Sequence, residues 1–230
     1  MTFSAPFSRV ITRPFGGVPA TAATGWWLSG GIAAANCIAA YQPKGAASIE
    51  ASLVNLNNPG TNNATAPAGN PTFDTSYGWA GGSSKYLSTG YVVDDKAHSV
   101  FVRFSDAPAA NTEIIGTFDA TNTKALYIRP NNAGDDLVFY YASTNSVSLT
   151  GITSGVIGVA GPDTYSNGSD VGTLTQDGTS GGQYPLFIFA INLNGSPGQY
   201  YTGKIQAFAM YDSTLTPAQV SALTTAMAAL

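Results

Sequence analysis

Carboxylates are the first residues to consider, because two of them facing the same bond can hydrolyse a glycosidic linkage. The chain has two glutamates, Glu50 and Glu113, and neither is followed by an aspartate at the spacing that would share its strand face. Asp135 and Asp136 are adjacent, so they would point to opposite faces of a strand, and a turn beside Gly134 explains them. The sequence therefore predicts no catalytic residue and a non-enzymatic protein.

Histidine and cysteine offer little further chemistry, because the chain has one of each, His98 and Cys37. One imidazole and one thiol cannot supply the usual ligands of a zinc site. A serine-type triad would have to use His98, but no nucleophile-elbow motif is present, and we expect a surface histidine. Cys37 cannot form an intramolecular disulfide and is expected to be a free, buried thiol.

Calcium is the remaining metal to weigh, because aspartates in loops can supply its oxygen ligands. These aspartates also suit tight turns, which is the interpretation we favour. We therefore expect no metal site and no cofactor, with Ca²⁺ left as an unsupported alternative. The candidate ligands are Asp94, Asp95, Asp135, Asp136, Asp163 and Asp170.

Aromatic and amide side chains near predicted turns could bind a glycan. Tyrosine and tryptophan are suited to this because each joins a large apolar ring to a polar group, although in a sandwich the same residues also fill cores and rims. Both interpretations stay open at this point. The candidate carbohydrate-binding residues are Trp79, Tyr141, Tyr165, Asn167 and Tyr184.

The composition limits the classes of partner. Hydrophobic residues make up 44% of the 230-residue chain and charged residues 10%, well below the roughly 25% of typical soluble domains. The polar uncharged surface that this implies is common on extracellular and particle-surface proteins and in chains that associate with their own copies. With a net charge of −4 and nine scattered basic residues, nucleic-acid binding is not expected. No run approaches the 18 apolar residues that would suggest a membrane span.

Residues 1–25 are predicted to form an extended arm, and residues 26–230 one domain. Pro6, Pro14 and Pro19 interrupt the first segment, and no helix or strand periodicity is visible there. Such an arm orders when it docks on a partner, although a first strand of the sandwich is an equal alternative. No signal-peptide pattern is present, so we expect synthesis in a cytoplasm without a cleaved signal, as for a virion protein made in its host cell. The apolar anchors of the arm are Phe3, Phe7, Val10, Ile11 and Phe15.

The domain itself is predicted to be all-β. From residue 72 onward, short apolar or alternating runs are separated by turn sequences, which is typical of a two-sheet sandwich. Asn167-Gly168 has the composition of a two-residue hairpin turn. Residues 36–60 favour a helical or mixed segment that leads into a loop.

The end of the chain gives the sharpest local prediction. Residues 204–211 are mostly apolar and suit a strand covered on both faces. Thr216, Pro217 and Gln219 form a strong helix start, with threonine as the N-cap and glutamine at the third helical position. Val220, Leu223 and Met227 would then lie on one face of the helix.

These C-terminal residues resemble the closing strand and helix of laminin-G-like, concanavalin A-type jelly rolls. The residues that match are Gly203, Ile205, Tyr211, Asp212, Leu215, Thr216, Gln219 and Val220. Three further stretches resemble the same family, around Phe73-Asp74 with Trp79 and Tyr86-Leu87, at residues 164–172, and at residues 186–190. The resemblance implies an antiparallel two-sheet jelly-roll sandwich with a short C-terminal helix. It carries over no calcium site, because the family's aspartates have no clear counterpart.

A wider similarity to laminin-G-like proteins of tailed phages favours a structural protein of a virion. The expected role is capsid decoration or a tail-associated subunit, docked on a capsid or tail protein through the arm and associated with its own copies. The alternative is a lectin-like module that attaches to host or other glycans at an extracellular surface. Nothing in the sequence selects the partner.

Overall fold

The computed structural model of the chain describes residues 25–94, 96–119, 121–176 and 183–230. Its first strands are β1 (Cys37–Tyr41), β2 (Thr72–Asp74), β3 (Gly78–Ala80), β4 (Leu87–Val92), β5 (Ser99–Ser105), β6 (Ile115–Asp119), β7 (Thr121–Arg129) and β8 (Asp136–Tyr141). They are followed by β9 (Val147–Thr150), β10 (Gly155–Ala160), β11 (Asp163–Ser166), β12 (Ser169–Thr173), β13 (Pro185–Ile188), β14 (Ile191–Leu193), β15 (Ser196–Gly198) and β16 (Lys204–Tyr211). The α-helices are α1 (Ile49–Ser52) and α2 (Pro217–Ala228), and 3-10 helices span Trp26–Gly31 and Ala34–Asn36. The five predicted anchors of the arm lie outside the described residues.

Within the described residues, the strands form two sheets of eight. Sheet A has the order β12-β11-β10-β5-β16-β3-β2, and β1 also pairs with β16. In sheet B, the order β15-β14-β6-β7-β8-β9 is joined by β13, which pairs with both β6 and β4. Pairing is antiparallel except between β14 and β6. The predicted all-β, two-sheet antiparallel jelly-roll sandwich with a short C-terminal helix is confirmed.

Two hydrophobic clusters hold the layers together. The larger cluster fills the space between the sheets and includes Phe104 of sheet A and Leu126 and Phe139 of sheet B. The smaller cluster lies on the other side of sheet A, where Phe101 meets Val220 of α2. Sheet A is thus buried on both faces, and sheet B contributes only one face to the larger cluster.

Strand β16 contributes side chains to both clusters. Phe208 and Met210 belong to the cluster between the sheets, whereas Ala209 and Tyr211 face α2, as the alternation of a strand requires. Helix α2 starts with the predicted capping box, in which Thr216 and Gln219 exchange side-chain to backbone hydrogen bonds. Both predictions for the end of the chain are confirmed.

Of the two forms predicted for residues 36–60, a helical and a mixed segment, the structure has the mixed one. Cys37–Tyr41 is strand β1, paired with β16, and only Ile49–Ser52 is α-helical. The reason is that Ala39 and Ala40 are fully buried on opposite faces of sheet A, so small residues of helical propensity fill a strand. Asn55 supports β1 by accepting from the backbone N–H of Ala40 and donating to the carbonyl of Ile38.

Candidate functional site

The outward side of sheet B is the sheet face that neither hydrophobic cluster of the described residues covers. Leu126 and Ile128 of β7 point into the cluster between the sheets, so Tyr127 and Arg129 point outward. By the same alternation, β8 buries Phe139 and turns Val138 and Tyr140 outward. Together with Phe118 of β6, these outward side chains are called the open face, and they are Phe118, Tyr127, Arg129, Val138 and Tyr140.

Two tyrosines form the centre of the open face. Tyr127 and Tyr140 are directly paired across β7 and β8, and their ring centres lie 4.9 Å apart with planes 22° from parallel. Both side chains are half-buried. Burial raises the pKa of Tyr127 to about 12, so its hydroxyl stays protonated and can both donate and accept a hydrogen bond.

Arg129 lies beside this pair. Its guanidinium carbon is 5.4 Å from the centre of the Tyr127 ring, which is within the range of a cation–π contact. Its Nε donates to Oε1 of Glu113 at 2.7 Å, and Nη2 donates to Oε1 of Gln199 at 3.3 Å. The arginine side chain is 23% exposed, whereas that of Glu113 is fully buried. The pair therefore joins a buried carboxylate to an accessible cation.

Burial dominates the electrostatics of Glu113. It raises the pKa of this carboxyl to about 7, although the charge and hydrogen bond of Arg129 act in the opposite direction. Oε2 of Glu113 has no hydrogen-bond partner within the described part of the chain. A buried carboxylate oxygen without a donor disfavours ionisation, which agrees with the direction of the shift.

A hairpin borders the open face. Strands β14 and β15 lie along the edge of β6, and a methyl group added at Gly116 would lie 2.8 Å from Cγ1 of Ile191. The absence of a side chain at Gly116 therefore lets this hairpin approach β6. Leu193 of β14 is paired with Phe118 and is 36% exposed, which extends the apolar surface to this edge.

Three of the five predicted carbohydrate-binding residues are buried. Trp79 and Tyr141 have no exposed area, and both belong to the cluster between the sheets. Tyr165 is 3% exposed and packs on Phe101 in the smaller cluster. Their assignment to a surface site is therefore corrected: they are packing residues, which was the alternative interpretation of each.

The other two predicted residues are accessible but separate. Asn167 occupies the hairpin turn between β11 and β12, where its Oδ1 accepts from the backbone N–H of Val156. It lines a cleft of about 350 Å³ against α2 whose other walls are small or hydroxyl side chains, including Ser221 and Thr225. Tyr184 is half-buried beside Gly195, at the tip of the β14–β15 hairpin. The structure does not bring Asn167 and Tyr184 into one site.

Sequence reasoning missed Tyr127, Arg129 and Tyr140. The signal was available, because Leu126 and Ile128, like Leu137 and Phe139, alternate with the residues between them. Reading that alternation strand by strand would have placed the two tyrosines on the outside and Tyr141 inside.

The other titratable residues form no second centre in the described ranges. No group of three His, Cys, Asp or Glu residues there could hold a metal ion. Glu50 is exposed in the first turn of α1, away from the strand that Glu113 precedes. The expectation of a surface His98 is wrong, since it is 2% exposed and lies 2.9 Å from the Tyr91 hydroxyl. Cys37 is a free, buried thiol as predicted, and burial raises its pKa to about 12.

Three of the six candidate calcium ligands have local structural roles. Asp135 adopts a positive φ of 59° in a turn, Asp163 accepts from the Thr173 hydroxyl, and Asp170 accepts from the backbone of Gly172. Asp95 lies outside the described residues. In the same described ranges, no helix is both long enough and apolar enough to cross a bilayer.

Comparisons with known proteins establish the fold and not a family. No protein-family model and no curated protein matches the chain. A mutant Trypanosoma rangeli sialidase that displays trans-sialidase activity is 10% identical over 85% of this chain and 34% of its own, with a TM-score of 0.55. The binding domain of botulinum neurotoxin DC, solved with rat synaptotagmin II, is 13% identical over 84% of this chain and 52% of its own, with a TM-score of 0.54.

A third similar structure is that of botulinum neurotoxin type C, whose cell entry is described as dependent on interaction with two ganglioside molecules. It is 12% identical over 84% of this chain and 52% of its own, with a TM-score of 0.52. The chain thus spans about half of the two neurotoxin chains and about a third of the sialidase chain. At these identities the shared property is the concanavalin-like jelly-roll sandwich.

Proposed function

We propose that this chain is a carbohydrate-binding module and that the open face of sheet B is its binding surface. The observation that carries the proposal is the stacked, half-buried pair of Tyr127 and Tyr140 beside Arg129, on a sheet face that neither hydrophobic cluster covers.

The chemistry of this surface fits a sugar ring. Tyrosine combines a large apolar ring with a hydroxyl that hydrogen-bonds, so it can pack against the C–H face of a sugar and contact its hydroxyls. Around the two tyrosines, Gln199 and Arg129 add polar groups that could fix the orientation of a ligand. By contrast, the Asn167 cleft has no aromatic wall.

A solved structure with a similar fold also supports the proposal. The neurotoxin type C structure has the same sandwich, and its cell entry depends on gangliosides, which are glycolipids. The likeness supports only the class of ligand, because the sequences are 12% identical. The kind of sugar that would bind has to be inferred from the side chains of the open face.

The proposed role is non-enzymatic. Most glycosidases hydrolyse their substrate with two carboxylates that face the same bond. Glu113 is buried and paired with Arg129, and Glu50 is exposed in α1. The two glutamates therefore do not face one another across a common site.

A glycan array tests this proposal. The wild-type chain should bind a subset of glycans. Tyr127→Ala or Tyr140→Ala should weaken binding of the best ligand roughly fivefold or more, because each removes about 1 kcal/mol or more of ring contact. Tyr77→Ala is the matched control, since Tyr77 lies beside Lys204 in the turn between β2 and β3, two strands of sheet A. Absence of binding to any glycan, or equal losses in all three variants, would contradict the proposal.

A structural role on a virus-like particle is the second candidate. The low charged share of 10% and the apolar anchors spaced along residues 1–25 favour it. In this role the arm would dock on a capsid or tail protein, copies of the chain would associate, and the protein would be found in the virion. Deleting residues 1–20 should then abolish co-sedimentation with the particle. Unchanged attachment of the shortened chain would exclude docking through the arm.

A further inference from the structure

Arg129 and its surroundings indicate more than a generic sugar surface. Its side chain is the one described cation on the open face, and it is held by a carboxylate rather than free to move. The question is which edge of the guanidinium remains for a ligand.

The hydrogen bonds of Arg129 answer this question. Glu113 occupies Nε, on the inner edge of the guanidinium, at 2.7 Å. Of the two terminal nitrogens, Nη2 makes a long, exposed bond of 3.3 Å to Gln199, and Nη1 has no hydrogen-bond partner within the described part of the chain. The outer edge therefore keeps two N–H donors in the fork that matches a carboxylate.

Glu113 restricts the movement of this fork. It is fully buried and bonded to Nε, and Tyr127 packs beside the guanidinium, so the arginine is held before a ligand arrives. Fixing a side chain in advance reduces the entropy that binding would otherwise cost. Glu113 is accordingly a positioning residue, and Arg129 is the residue that would touch the ligand.

We propose, resting on the glycan-binding function above, that the open face selects acidic glycans and that the outer edge of Arg129 binds their carboxylate. The sugar ring would pack on Tyr127 and Tyr140 while its carboxylate replaces Gln199 at the terminal nitrogens. Two sources share this chemistry, sialic acids and uronic acids, and they are distinguished by the probes below.

The experiment compares matched ligands by isothermal titration calorimetry. One pair is sialyllactose and lactose, and the other is an oligosaccharide ending in glucuronic acid and its glucose counterpart. The wild-type chain should prefer the acidic member of at least one pair by about tenfold or more, as expected for a bidentate charged hydrogen bond. The pair that shows the preference identifies the source of the carboxylate.

The variants are chosen so that folding does not obscure the result. Arg129→Gln alone would leave Glu113 buried without its partner, which is a costly arrangement. The comparison is therefore between Glu113→Gln, which keeps the arginine, and the double variant Glu113→Gln/Arg129→Gln, which has no charge at either position. Glu113→Gln should retain the preference for the acidic ligand, and the double variant should lose it while still binding the neutral ligand. Thermal unfolding of both variants checks that they fold.

Each outcome has a distinct meaning. Equal binding of acidic and neutral ligands by the wild type, with loss of both in Tyr127→Ala, would overturn the selection of acidic glycans and leave the glycan-binding function standing. A preference that persists in the double variant would show that Arg129 is not its cause. If no member of either pair binds, the glycan-binding function and this inference fail together.

Discussion

At the residue scale, the proposed binding surface depends on three side chains. Tyr127 and Tyr140 provide ring surface, and Arg129 provides charge whose direction is fixed by Glu113. Glu113 and Arg129 are 16 residues apart, and Gln199 is 70 residues from Arg129. Strand spacing alone could have placed the tyrosines, but only the folded chain brings Glu113 and Gln199 to the arginine.

Trp79→Ala separates a packing residue from a binding residue. Trp79 is fully buried, and its Nε1 donates to the hydroxyl of Ser52 at 2.7 Å. Its removal should lower the free energy of unfolding by roughly 3–5 kcal/mol, the usual range for a large buried aromatic. The glycan affinity of the protein that remains folded should not change. Denaturant titration measures the change in stability, and calorimetry measures the glycan affinity. A loss of affinity without a loss of stability would mean that Trp79 is a binding residue.

The raised pKa of Glu113 predicts a dependence of stability on pH. Its ordinary value is 4.5 and its value in the fold is about 7, so between these values the folded state holds more protons than the unfolded state. The free energy of unfolding should therefore fall as the pH rises from about 4.5 to about 7, by at most about 3 kcal/mol from this group.

Glu113→Gln is the control for this dependence, because its amide stays neutral. Arg129 is the charged neighbour that acts on Glu113, and Tyr127, whose pKa burial raises to about 12, keeps its proton across the window. Chemical denaturation at a series of pH values should show the slope in the wild type and a flatter profile in the variant. Parallel profiles would mean that Glu113 does not titrate in this range.

At the element scale, helix α2 fixes which face of sheet A is closed. Its side chains Val220, Leu223 and Met227 are buried against sheet A, so the helix covers much of the outward face of that sheet. The location of the open face on sheet B is a consequence of this packing.

Thr216→Ala tests the start of that helix. The threonine hydroxyl accepts from the backbone N–H of Gln219 at 3.3 Å, and Oε1 of Gln219 accepts from the backbone N–H of Thr216 at 2.9 Å. Losing this cap should cost about 1 kcal/mol of stability, measured by thermal or chemical unfolding. Ser221→Ala on the exposed side of the same helix should change stability by much less. A similar loss in both variants would argue against the capping box as the cause.

The elements differ in how far the sequence could predict them. Helix α2 and the Asn167-Gly168 turn carry local signals, a capping box and two residues that accept positive φ, and both are found where expected. Strand β1 carries no such signal, because Ala39 and Ala40 are strand residues only by virtue of the two layers that bury them. Its pairing with β16 joins residues 37–41 to residues 208–211, which no local pattern predicts.

At the scale of the whole molecule, the sandwich is asymmetric. One sheet is covered on both sides, and the other turns aromatic side chains and an arginine outward on a chain whose net charge is −4. The overall charge would repel an acidic glycan, so the proposed recognition of such a ligand depends on the local charge of Arg129. The sandwich class followed from turn spacing and from the C-terminal pattern, whereas the choice of the exposed face depended on where α2 packs.

The most direct test of the central claim is a titration of the ¹⁵N-labelled chain with its best glycan ligand, followed by NMR. The account predicts that the largest amide shifts fall on β6, β7 and β8, around Tyr127, Arg129 and Tyr140. Shifts concentrated instead around Asn167 and Thr225, in the cleft beside α2, would contradict it.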